Sequence, residues 1–193
     1  MIFIKALILS GSANKVNDKS FIPNKMGLTF SCVIECSNAL KSMGRDVEHI
    51  CLNKKDLKRC MACGERGWGI CSEQHECILN DDFNDLYKYM GKFDFYIFVT
   101  PVYFHEMSEV MKSFFDRLKR CDAFYEDSSI KNKKTVCIAA AGGSGSGTEE
   151  TLKSFDTLNY FLKTSVVARI DVTKFNFEKQ KEKIKKAMNS LTK

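Results

Sequence analysis

Four cysteines, Cys60, Cys63, Cys71 and Cys77, follow the pattern C-x2-C-x7-C-x5-C. Thiolate is a soft ligand. Four of them close together can hold a [4Fe–4S] cluster or a tetrahedral zinc ion, and without metal they are free thiols open to redox chemistry. Three other stretches have the composition of ligand-binding turns. Ser10-Gly11-Ser12-Ala13-Asn14 closes an apolar run and leads on toward Thr29. Hydroxyls and backbone N–H groups near a helix start suit a phosphate, although the stretch is neither a Walker sequence nor a Gly-x-Gly-x-x-Gly fingerprint. Thr100-Pro101-Val102-Tyr103-Phe104-His105 sets two aromatic rings beyond a proline, where they can cover a flat ligand or pack at an interface. The stretch 142–147 has four glycines in six residues, Gly142, Gly143, Gly145 and Gly147, with Ser144 and Ser146 between them. Its backbone can approach a ligand closely or simply turn. No nucleophile–base pair stands out. His49 reads as a strand-surface residue, His75 as exposed or as a substitute metal ligand, and His105 as a polar rim residue or a ligand contact.

The elements that must position these turns follow from hydrophobic periodicity. Residues 2–9, Val47 to Leu52, 95–99, Thr135 to Ala141 and Val166 to Val172 are short apolar runs that predict strands. Helical spacing predicts helices over 28–43, from Asn80-Asp81-Asp82 onward, along a stripe of Met107, Val110, Met111, Phe114, Phe115 and Leu118, after the glycine-rich turn, and over 176–191. Ser146 and Glu149 have capping-box spacing for the fourth of these. Strands that are apolar throughout belong in a parallel sheet covered on both faces. The alternation therefore predicts one doubly wound α/β domain over 1–193, five parallel strands in the order 2-1-3-4-5, with a Cys-rich loop insertion at 59–78 after strand 2. In such sheets ligands bind beyond the carboxyl ends of the strands, which is where all three turns fall.

Taken together, Gly11-Ser12, the run from Cys60-x-x-Cys63 to Cys77-Ile78-x-x-Asp81-Asp82, Thr100-Pro101-Val102-Tyr103-Phe104, Ser108, Lys112, Phe114-x-Asp116-Arg117 and the stretch 142–147 resemble the NADPH-dependent FMN reductase and iron–sulfur flavoprotein group of the flavodoxin-like superfamily. The resemblance covers roughly residues 2–165 and is most specific from Asp82 through Arg117. It implies FMN, with Ser12, Asn14 and Thr29 on the phosphate and Ser10 at the same strand end. Pro101, Val102, Tyr103 and Phe104 would flank the isoalloxazine on one side, and Gly142, Gly143, Gly145 and Ser146 on the other. The phosphate loop is longer here than in the family, so Ser20 is an alternative to Thr29. The gap between Cys63 and Cys71 is also wider than in the compact four-cysteine motif that holds a [4Fe–4S] cluster in these flavoproteins.

The implied activity is FMN-dependent NAD(P)H oxidation that passes electrons to a quinone, a flavin or another acceptor. The alternative is a flavodoxin or iron–sulfur flavoprotein-type carrier that does not itself oxidise NAD(P)H. Flavodoxin-type carriers are generally acidic, whereas this chain has 30 Lys and Arg against 24 Asp and Glu, a net charge of +6. A metal-dependent interaction module is a third class, disfavoured by the three flavin turns. The expected partners are a small-molecule donor and acceptor and further copies of the chain, as homodimer or homotetramer. The Lys and Glu of 179–186 read as a solvated helix face, and no basic run is interleaved with stacking aromatics, so nucleic acid is not expected. No apolar run is long enough to span a membrane, and the opening residues are expected to be a buried strand rather than a leader. A reducing, cytoplasmic setting with free thiols is the expectation for the nine cysteines.

Overall fold

A computed structural model of the chain describes residues 4–12, 27–123 and 125–192. Six strands and five helices alternate along it: β1 (Lys5–Ser10), α1 (Leu28–Ser42), β2 (Asp46–Cys51), α2 (Phe83–Met90), β3 (Phe95–Tyr103), β4 (Glu106–Met107), α3 (Glu109–Asp122), β5 (Lys134–Ala141), α4 (Thr148–Phe161), β6 (Ser165–Thr173) and α5 (Phe177–Leu191). The principal strands are parallel in the order β2-β1-β3-β5-β6. This is the expected 2-1-3-4-5 winding with one addition. The two-residue β4 pairs antiparallel with the end of β3 and belonged to no strand predicted from sequence.

The apolar runs of β1, β3 and β5 are continuous because each of these central strands supplies both faces. Ala6, Ile8, Phe95, Ile97, Val99, Ile138 and Ile170 are buried against Cys36 and Leu40 of α1 and Ile184 and Met188 of α5. Leu7, Leu9, Tyr96, Phe98 and Cys137 point the other way, toward Phe83, Leu86, Phe114, Phe115 and Phe155 of α2, α3 and α4. A one-residue slip would exchange these sets, so the register is strongly fixed. Ser10 aligns with Val99, and Pro101 with Ala140. The exits of β1, β3 and β5 therefore open on one edge of the sheet.

Three local expectations are corrected. Met107 belongs to β4, so its helix begins only at Glu109, with buried Ser108 at the N-cap. The N-cap of α4 is Gly147, and no side chain caps it; Ser146 instead faces His105, and Thr148 Oγ1 donates to the Gly145 carbonyl. Helix α2 starts at Phe83, because Asp81 and Asp82 turn their carboxylates to the neighbouring 56–58 segment.

Candidate flavin site and thiol cavity

The first turn is held from the β2 side. Ser10 Oγ lies 2.8 Å from His49 Nε2. Burial lowers the His49 pKa, and Lys54 adds to this, so the imidazole beside Ser10 is neutral. His49 is thus a partner of the turn rather than a surface residue, a correction that required knowing that Ile8 aligns with it across the β1–β2 ladder. Asn53 donates to the carbonyls of Gly11 at 3.2 Å and Ser12 at 2.7 Å. Both serines and Thr29, in the first turn of α1, are buried. Asn14 and Ser20 lie outside the described residues.

The second turn packs directly on the first. A Cβ on Gly11 would collide with Ser108 Oγ and lie 3.1 Å from Met111 Cβ, so only a glycine fits between β1 and α3. Ser108 N–H donates to Thr100 Oγ1 at 3.0 Å. Beyond Thr100, Tyr103 pairs with Glu106 across a two-residue connection, Phe104 (φ 47°) and His105 (φ 67°). Two left-handed residues between antiparallel strands make a type I′ hairpin, a turn that normally recruits Asn-Gly. Here it projects a fully solvated Phe104 (103% exposed) and leaves Tyr103 half-exposed (48%).

The third turn closes on the hairpin. Gly147 (φ 86°) lies so near His105 that a Cβ there would strike the His105 Cα, and His105 Nε2 stands 3.1 Å from Ser146 Oγ. Gly142 and Gly143, by contrast, face open space where a side chain would be. Pro101 is buried and Val102 half-buried beneath the hairpin. On the far flank of Tyr103 a cleft of about 490 Å³ is lined by Asn53, Lys55, Arg59, Ser108 and Val110, among others. The predicted turns thus meet, and open glycine backbone, a half-exposed aromatic face and buried hydroxyls fit a flat phosphorylated ring. Sequence reasoning missed His49 and Asn53, which carry no local signal.

Cys60, Cys63, Cys71 and Cys77 border a single cavity, shared with Cys121, Arg117 and Arg120. All nine cysteines are unbridged. Their loop coils tightly, with Ala62, Arg66 and His75 all at positive φ. Several contacts fix it to the helices. Asn84 brackets Cys77 with two backbone hydrogen bonds, of 2.9 and 2.8 Å. Arg120 donates to the Gly67 carbonyl at 2.6 Å and stacks on Trp68. Tyr125 Oη donates to the Cys71 carbonyl at 3.3 Å, and His75 Nδ1 stands 3.3 Å from the Tyr87 hydroxyl. Burial, with Cys77 and Cys71 nearby, pushes the Cys121 thiol up to about 12, so it is protonated. Among the described residues no three His, Cys, Asp or Glu side chains stand together as a single-ion site. The donor set, four soft thiols around one cavity, suits an iron–sulfur group in kind, but the cavity holds only about 10 Å³, so the thiols would have to separate to admit a multinuclear group.

Among relatives, the chain is 29% identical over 153 residues to an iron–sulfur flavoprotein of Methanocaldococcus jannaschii, covering 79% of this chain and 74% of that one. It is 27% identical over 117 residues to an iron–sulfur flavoprotein of Methanosarcina thermophila, covering 59% and 56%. In fold it superposes on an NAD(P)H:quinone oxidoreductase from Methanothermobacter marburgensis with a TM-score of 0.70 at 17% identity, over 100% and 98% of the two chains. No described helix is long and apolar enough to cross a membrane. The profile of NADPH-dependent FMN reductases matches residues 4–178, and the chain belongs to that family.

Proposed function

We propose that this protein is an FMN-dependent NAD(P)H oxidoreductase that passes electrons from a nicotinamide donor to a quinone, a flavin or another acceptor. The observation that carries the reading is the convergence of the β1, β3 and β5 exits on one sheet edge, in a chain of this family. FMN, when bound, supplies the hydride and electron chemistry, and the protein supplies binding, orientation and electrostatics. Ser12, Asn14 and Thr29 would hold the phosphate, with Ser10 at the same strand end; His49 fixes Ser10 and Asn53 fixes Ser12. Pro101, Val102, Tyr103 and Phe104 would line one side of the ring, and Gly142, Gly143, Gly145 and Ser146 the other. The His105–Ser146 contact holds those two turns together, so the ring's walls are set before it arrives. The cleft beside Tyr103, where Lys55 and Arg59 stand with Asp56 and Glu109, is the approach we assign to the donor or acceptor.

Cys60, Cys63, Cys71 and Cys77 would hold a [4Fe–4S] cluster, which supplies one-electron chemistry when present. This thiol cavity favours a second reading, an electron carrier whose flavin is reduced by a protein partner rather than by NAD(P)H. Anaerobic mixing with NADPH or NADH separates the two. Bleaching of the flavin absorbance within the mixing record supports the reductase. A flavin that dithionite bleaches and neither nucleotide does leaves the carrier. An apoprotein that ignores added FMN in calorimetric titration removes both.

A further inference from the structure

Among the described residues, four buried side-chain atoms lack a hydrogen-bond partner, and Arg117 Nε is the one that belongs to the wall of the thiol cavity. Three of the four Nη–H groups of this guanidinium are engaged. Nη1 donates to the Lys58 carbonyl at 3.0 Å and to Asp81 Oδ2 at 2.5 Å, and Nη2 donates to Asp81 Oδ1 at 2.8 Å. The Phe83 ring lies 4.2 Å from its central carbon. Neither side chain reaches solvent, with 1% of Arg117 and 0% of Asp81 exposed. A two-pronged pair with a carboxylate fixes the guanidinium plane, so the direction of Nε–H is fixed too. Cys77 lines the same cavity and its sulfur lies within hydrogen-bonding reach of this guanidinium, so a sulfur acceptor is at hand. Burying an N–H without a partner is costly, and folded proteins seldom leave one so.

We infer that Arg117 is a positioning residue for the sulfur group held in the Cys60–Cys77 cavity: its Nε–H donates to sulfur there, and its charge, balanced by Asp81, sets that group's reduction potential. The inference rests on the iron–sulfur reading above. Reduction adds negative charge to the cavity. A buried cation with an N–H aimed at sulfur stabilises that charge, and a buried carboxylate opposes it, because the low local dielectric magnifies both. Removing the two partners must therefore move the potential in opposite directions. A purely structural ion pair predicts no such opposition, since losing either partner loosens the same loop.

The test is a potentiometric titration of the reduced cluster's paramagnetic resonance signal in anaerobically purified holoprotein, with iron and acid-labile sulfide counted per chain. Arg117→Gln should lower the midpoint, making the cluster about tenfold harder to reduce, which is ~59 mV for one electron. Asp81→Asn should raise it. Arg117→Lys, which keeps the charge and loses the fixed Nε–H, should fall between wild type and Arg117→Gln. If Arg117→Gln fails to retain iron, Arg117→Lys and Asp81→Asn carry the comparison. Iron-replete variants with unmoved midpoints, or shifts of the same sign for both partners, overturn the inference while leaving the cluster reading intact. So does loss of iron from all three, which would assign the pair to holding the loop. Wild-type protein with neither iron nor sulfide overturns the cluster reading and this inference with it.

Discussion

Gly147 joins two links of the site, since its φ of 86° lets α4 begin while the chain passes against the His105 backbone. An alanine there would carry a Cβ into the His105 Cα and within 3.0 Å of Val102 Cγ1, in a conformation that L residues seldom adopt. Gly147→Ala should therefore cost about 1–3 kcal/mol of stability. It should also weaken FMN binding, because the turns that would flank the ring are forced apart; denaturant unfolding and a flavin titration read the two effects. Full stability with unchanged flavin affinity would mean that these turns do not depend on each other. Individual residues were legible in the sequence only where chemistry is local. Tyr103, the glycines of 142–147 and the four cysteines announce themselves by type and spacing. Asp81 and Arg117 were visible as motif members but not as partners, His49 was read only as a strand-surface residue and Asn53 was not visible at all, because sheet register and loop return bring them to Ser10 and Ser12 across about 40 residues of chain.

Elements were easier to read than their ends. The stripe from Val110 to Leu118 and the run 95–99 became α3 and β3, since both faces of β3 are buried and α3 has one apolar side. The β3–β4 hairpin escaped detection because Phe104-His105 has none of the residues that usually make a type I′ turn. That choice costs stability. Placing Asn at 104 and Gly at 105 should raise stability by about 1–2 kcal/mol, the penalty for left-handed L residues. It also deletes the exposed ring and the contact with Ser146. The double variant should therefore melt higher yet be bleached more slowly by NAD(P)H; a variant both more stable and equally fast would show that the strained tip has no part in turnover. The Cys-rich loop depends on the Asp81 clamp. Burial alone would push this carboxyl up, but hydrogen bonds from Arg117 and from the Lys58 and Phe83 N–H groups outweigh it and hold the pKa below the ordinary 3.8. A carboxylate depressed in the folded state adds stability that is whole above its unfolded value and is lost as pH falls through the folded one. Protease nicking within 56–82 should accordingly rise as the pH drops below about 3.8. In Asp81→Asn stripped of iron the nicking should already be high at neutral pH, with about 3 kcal/mol lost to a broken buried pair. A variant that is as resistant as wild type at pH 7 would remove the clamp.

For the whole molecule, the doubly wound sheet brings the exits of β1, β3 and β5 to one edge. The chain's +6 excess is unlike that of an acidic carrier and suits an anionic small-molecule partner. Lys55 and Arg59 line the cleft beside Tyr103 together with Asp56 and Glu109, so its wall is balanced overall and the two cations act there as individual contacts. Exposed charges separated by more than about 10 Å are largely screened at 0.1 M salt. Long-range steering should thus be strong in dilute buffer and fade as salt rises, whereas contacts within the cleft should persist. NADPH carries one more phosphate than NADH and should feel the field more. The second-order rate of flavin bleaching by NADPH should fall with ionic strength, and more steeply than the rate with NADH. Substituting Lys55 and Arg59 by Gln should flatten the NADPH slope while leaving bleaching by the uncharged reductant borane unchanged. If the slopes for the two nucleotides coincide, or survive the double substitution, the positive charge that guides the donor lies elsewhere on the surface and the cleft is not its entrance.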